Sequence, residues 1–327
     1  MKLTKRINES LKRVCLNEEE EFQITADMFT RTNDGLVFDG FAQRKPKNIP
    51  AKFEIPEEFD GQKVIAIGMN AFSQCYNINE IVIPKTVTEI YADAFNMCKN
   101  LKKVEILGNV LVSIGLRAFK NVIGLQSINI PNSVEYIGDE AFYNCRNLTS
   151  IELPNSVKTI GGEAFAYSGL TSIELPNSIN KIDAYTFDHC EKLTSVKIPK
   201  TVETIAKRAF SYCTALTSVA IGNGVTSIGP NAFSGCTALT NIVIPDSVKT
   251  IGTFAFYECS SLTSIEIPAS VKTIGDDAFS YCSSLTSVDI PEECELGDSV
   301  FTGCKAIKKI NGMEIPKNML KVFFGKA

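Results

Sequence analysis

Residues 239–261 read Leu-Thr-Asn-Ile-Val-Ile-Pro-Asp-Ser-Val-Lys-Thr-Ile-Gly-Thr-Phe-Ala-Phe-Tyr-Glu-Cys-Ser-Ser. The next 23 residues, 262–284, nearly copy them, and so do the 23 before, 216–238. The Phe of the Ala-Phe pair marks the period. It recurs eleven times, at Phe72, Phe95, Phe119, Phe142, Phe165, Phe187, Phe210, Phe233, Phe256, Phe279 and Phe301, in steps of 22 to 24 residues. A fixed period over most of a chain predicts a solenoid, because one unit cannot bury its apolar face alone and must stack on its neighbours.

Within the unit, Ile242-Val-Ile244 alternates buried and solvent-facing slots, the signature of a short strand. Stacked units should pair these strands into one parallel sheet. Pro245 has no N–H to give and ends the strand, and Asp246-Ser247 supplies turn chemistry. Val248 and Ile251 lie three apart, followed by Ala255, Phe256 and Cys259, which predicts a short helical or 3₁₀ turn on the convex side. The Gly after Ile is replaced by Tyr91, Asp183 and Ala206 in other units, so that slot does not require a positive φ.

Some units depart from the template. Gly108 stands for Pro and Val122 for Cys around Phe119. Ser168 stands for Cys after Phe165, and the next step is one residue short. Near the end, Pro291–Leu296 has lost a residue and Gly312 takes a strand position. The fold class expected is therefore α/β, a solenoid with repeats over 64–312. Residues 21–63 read as an irregular β-rich first unit, with strand-like Leu36-Val-Phe and Phe53-Glu-Ile. Residues 313–327 read as a C-terminal cap. Residues 1–20 carry Leu3, Ile7, Leu11 and Val14 at helical spacing with Lys and Arg between them. This predicts an amphipathic helix, either a cap over the first unit or a surface-seeking helix for a membrane or partner. Glu18–Glu21 reads as a solvated linker.

Repeats such as Leu262-Thr-Ser-Ile-Glu-Ile-Pro, Val271-Lys-Thr-Ile-Gly and Ala278-Phe-Ser-Tyr-Cys282 resemble the BspA-type (Treponema-type) leucine-rich repeat family over residues 64–312. The resemblance implies a right-handed curved solenoid with a parallel sheet on its concave face. It also implies a bacterial, often surface-exposed or secreted protein that binds host proteins or other cells, with no family-wide catalytic residues.

The totals exclude several classes. The 327 residues are 44% hydrophobic and 21% charged with net charge −4, enough to build a core and too acidic for non-specific nucleic-acid binding. No apolar run approaches the ~20 residues of a membrane span. Met1-Lys-Leu-Thr-Lys-Arg is followed by no apolar stretch of a secretory signal, and the last residues contain no anchor. The expectation is a cytoplasmic chain, with a secreted or cell-surface location as the alternative.

Nine cysteines fall three residues after the marker Phe, from Cys75 to Cys304. No Cys-x₂-Cys pair indicates a metal site, and a once-per-turn thiol reads as a small buried hydrophobe in its reduced form. Neighbouring thiols would still lie within bridging range. His189, the single histidine, falls in the column of Tyr167, Tyr212 and Tyr281 and reads as packing rather than catalysis. No cofactor, metal site or enzymatic activity is expected. The candidate binding surface is the outward column of the concave sheet: Glu152, Glu174, Lys197, Ala220, Val243, Glu266 and Asp289. Ala220 and Val243 make an apolar spot between charges, which suits a protein partner, possibly a host or cell-surface protein. An intracellular scaffold is the alternative function, and a monomer the expected state.

Overall fold

The computed structural model describes residues 22–42 and 48–314. The predicted N-terminal helix and most of the predicted C-terminal cap lie outside them. The repeats stack into a parallel-sheet solenoid of eleven marked turns. Most turns lay down two short strands. The first is the expected Ile-x-Ile strand, as in Ser195–Lys197, Ser218–Ala220 and Asn241–Ile242, which pair in parallel register. The second lies across the Val-x-x-Ile stretch, as in Thr204–Ile205, Ser227–Ile228 and Thr250–Ile251, also in parallel register. These two ladders form two sides of each turn.

The predicted helical turn on the convex side is absent from the repeats. The only helical element among the described residues is the 3₁₀ turn Ala26–Met28, outside the repeats. The spacing of Val248 and Ile251 matched a helix, but both are buried because Val248 leads into the second-ladder strand. The stretch that follows cannot run as a helix because two residues per turn take positive φ, such as Phe254 at 57° and Glu258 at 58°. A helix needs successive N–H groups to reach back four residues. Here Ala255, Tyr257 and Cys259 reach back three, to Gly252, Phe254 and Phe256. The N–H groups between them, on Phe254, Phe256 and Glu258, donate to Asp276, Ala278 and Ser280 of the next turn at 2.7–2.9 Å. The third side is thus a stack of linked β-turns tied to its neighbours, with every backbone donor of the run satisfied.

The marker phenylalanines form one stack through the core, fully buried or nearly so. Rings of adjacent turns from Phe72 to Phe301 lie 4.9–5.7 Å apart and within 10° of parallel. Such pairs add about 0.5–1.5 kcal/mol each beyond area burial. The slot after Ile does not take positive φ at Gly115, Gly138 or Gly252. Glycine is favoured there by closeness: a Cβ on Gly138 would sit 2.6 Å from the Gly115 carbonyl carbon.

At the N-terminal end the pattern changes. Phe29–Arg31 pairs antiparallel with Leu36–Phe38, which pairs in parallel with Gln62–Ile67 and so joins the second ladder. Phe22, Phe41 and Phe53 pack edge to face at 5.6–5.7 Å and cover the start of the Phe stack. At the other end Lys309–Ile310 folds back antiparallel on Met313–Glu314. Both ladders are interrupted in the middle. No first-ladder strand lies between Ser127–Ile128 and Ser172–Glu174, and Thr159–Ile160 is not paired to Lys181–Ile182. The break coincides with the one-residue-short step from Phe165 to Phe187. The linked turns continue across it, with Phe165 N–H donating to Thr186 at 2.9 Å.

Candidate functional site

Along the first ladder the middle residue of each strand points inward and its neighbours outward, so the sequence column becomes a row of exposed side chains. Glu174, Lys197 and Ala220 stand side by side in register. Val243 follows just beyond Asn241–Ile242 and is 70% exposed. Glu266 and Asp289 are register partners in the next ladder segment. Glu152 is exposed but lies in no strand, on the far side of the ladder break.

The charges of the two halves of this face behave differently. In the N-terminal half Lys103 bonds Glu80 at 3.1 Å and Glu105 at 2.8 Å, and Lys52 pairs with Glu54 at 2.9 Å. The Lys103 hydrogen bond holds the Glu105 carboxyl below its usual range. In the other half, Glu152, Glu174, Lys197, Glu266 and Asp289 make no ion pair among the described residues. Beside them runs a row of exposed threonines whose hydroxyls are spent inside the fold. Thr194 donates to the Thr171 carbonyl and Thr217 to that of Thr194, both at 3.1 Å.

His189 stacks between Tyr167 at 4.5 Å and Tyr212 at 4.8 Å, with Nδ1 3.0 Å from Asp188 Oδ2. The ring packs in an aromatic column, and its neighbour Cys190 is buried with its thiol pushed up to about 12, chiefly by desolvation. A neutral buried thiol is a poor nucleophile. Among the described residues no three His, Cys, Asp or Glu side chains gather to hold a metal ion. No helix among them is long and apolar enough to cross a membrane.

Sequence reasoning passed over one exposed group, Tyr91, Val112, Leu116 and Tyr136 on the second ladder and the turn after it. Its signal was present: Val112 and Tyr136 fall in columns otherwise held by Thr88, Glu135 and Lys158, and by Glu89, Ser113 and Thr159.

The BspA type leucine rich repeat region matches this chain with six copies, over residues 65–193, 112–239 and 203–325. The chain belongs to the BspA-type leucine-rich repeat family. Among solved structures it is similar to a leucine-rich repeat protein from Bacteroides ovatus. That match has 25% identity and a TM-score of 0.56, covering 93% of this chain and 98% of that one. It also shares its fold with the pneumococcal vaccine antigen PcpA, at 21% identity and a TM-score of 0.56, covering 91% and 96% of the two chains. No curated protein matches. Proteins of this repeat family generally serve protein interaction or surface adhesion and are generally non-enzymatic.

Proposed function

We propose that this protein is a non-enzymatic adhesion or interaction protein that holds a protein partner on the outward column of the first ladder, from Glu174 to Asp289. One observation carries the reading: charges on this half of the face are unpaired, while those on the other half neutralise one another. Unpaired surface charges remain free to pair with complementary charges on a partner, and they steer encounter. Val243 and Ala220 supply the apolar centre that a hot spot needs. The six turns from Glu174 to Asp289, at ~4.8 Å per step, make a row roughly 24 Å long, so a standard interface of ~800 Å² per side would also draw on the columns beside it. The binding face is concave in this reading, and the partner is a host or cell-surface protein.

The test compares Val243→Glu with Tyr257→Glu on the linked-turn side. With a partner in hand, the first should weaken binding by more than ~1 kcal/mol with melting unchanged, and the second should leave binding intact. The reverse result places the partner on the other side. Fractionation of the native chain tests location, since recovery only in the cytosol would favour an intracellular scaffold.

A further inference from the structure

We propose that the second ladder carries a separate docking surface, between Tyr91 and Tyr136, for a basic amphipathic segment of a partner protein. The first observation is concentration. Of thirteen large hydrophobic side chains exposed among the described residues, four, Tyr91, Val112, Leu116 and Tyr136, fall on the second ladder and the turn after it within three successive turns. Tyr91, Val112, Leu116 and Tyr136 are 39–43% exposed. Patches of this kind on an otherwise polar repeat surface mark interaction sites.

The second observation is contiguity. Tyr136 N–H donates to the Val112 carbonyl at 3.2 Å, and Gly115 N–H to Ile90 at 2.8 Å, so these residues sit on touching turns. A Cβ on Gly138 would lie 2.7 Å from Leu116 N, and one on Gly115 3.0 Å from the Tyr91 carbonyl carbon. The two glycines therefore leave a shallow floor of backbone beside Tyr91 and Leu116, bounded by Val112 and Tyr136.

The third observation selects the occupant. Three cations around the patch are already held. Arg117 and Lys120 both bind Glu140, and Lys158 binds Glu135 at 2.7 Å. Glu89, Asp93 and Asp139 make no ion pair among the described residues. Asp93 accepts from Asn96 at 2.9 Å and Asp139 from the Gly162 N–H at 2.8 Å, so these carboxylates are hydrogen-bonded but carry no cation. An apolar floor with such carboxylates at its rim fits a segment that places apolar side chains on one face and Lys or Arg beside them.

The experiment uses the full chain and a fluorescein-labelled synthetic helix with Leu at i, i+3, i+4 and i+7 and Lys elsewhere. Its controls are the same peptide with Glu for Lys and a scrambled Leu/Lys peptide. The chain variant is Val112→Thr/Leu116→Ala/Tyr136→Thr, which installs the residues found at Thr88, Ala92 and Thr159 in the same columns. The Leu/Lys helix should bind saturably, tenfold or more tighter to the wild type than to the triple variant, and more weakly as salt is raised. Val243→Thr should bind it like the wild type, and both control peptides should bind poorly. Equal binding to wild type and a triple variant that melts normally overturns the proposal, as does equal binding of the Glu peptide. Should the triple variant misfold, Val112→Thr alone must still weaken binding. A wild-type dimer that the variant dissolves assigns the patch to a second copy and also overturns it. So does a patch that opens to the probe only when Lys2, Lys5, Arg6, Lys12 and Arg13 are changed to Gln, which assigns it to the chain's own first residues.

Discussion

The Sγ of Cys213 donates to the carbonyl of Phe187, one turn earlier, at 3.2 Å. The same bond joins Cys236 to Phe210, Cys259 to Phe233 and Cys282 to Phe256. Cysteine recurs here because it is small and apolar and still offers a second donor to a carbonyl that already accepts a β-turn N–H, as Phe256 accepts from Cys259 at 3.2 Å. Where Ser168 stands instead, its hydroxyl meets Cys190 Sγ at 3.3 Å.

Burial pushes the thiols of Cys190 and Cys236 up to about 12. An unfolded cysteine titrates near ~8.5. Above that pH the folded state holds protons the unfolded state has lost, so the stabilisation is complete below ~8.5 and falls as pH rises toward 12. Urea midpoints should be flat between pH 6 and 8 and should drop from ~9 upward, with a shallower drop in Cys236→Ala. In the native protein a thiol reagent at pH 8 should reach half-buried Cys294 well before the ladder cysteines.

Met97 has a φ of 61° in the linked turns. Met97→Gly should therefore be more stable than Met97→Ala by about 1 kcal/mol, since alanine resists left-handed backbone. In a helix the order would reverse by a similar amount. Denaturant melts of the two variants decide between the geometries.

Asp188 is 5% exposed, and its Oδ1 has no hydrogen-bond partner. The same column holds Ser280, whose hydroxyl donates to the Ser299 carbonyl at 2.6 Å. Replacing the carboxylate by Asp188→Ser should stabilise the fold by about 1–3 kcal/mol, the cost of a buried unsatisfied polar group. His189→Ala should do the opposite, because Asp188 Oδ2 then loses its contact. Thermal melts of both variants check the pair.

The ladder break predicts a local weak point. The amides of Gly161, Ala206 and Gly229 donate to Ile137, Ile182 and Ile205, while Asp183 N–H, in the same position, has no backbone acceptor. Hydrogen exchange should be faster at Asp183 than at those three by at least tenfold, and should mark 169–183 as the first stretch to open. Uniform protection through the break would contradict this.

The column of first-ladder residues was legible because strand alternation fixes which side chains leave the core, and the strand register pairs Glu174, Lys197 and Ala220 as the repeat implied. The patch at Tyr91, Val112, Leu116 and Tyr136 was not, because its residues are scattered over four template columns and meet only when the second ladder brings adjacent turns together.

From the sequence alone came the solenoid, its period and its core, since a residue type repeated every 23 positions must occupy one environment in every turn. Only the tertiary structure decided the second ladder and the linked turns. Spacing of three is shared by a helix and by a turn leading into a strand, and the choice rests on where the N–H groups of Phe254, Phe256 and Glu258 go. They go to the next turn, and hydrogen bonds between turns exist only once the turns are stacked.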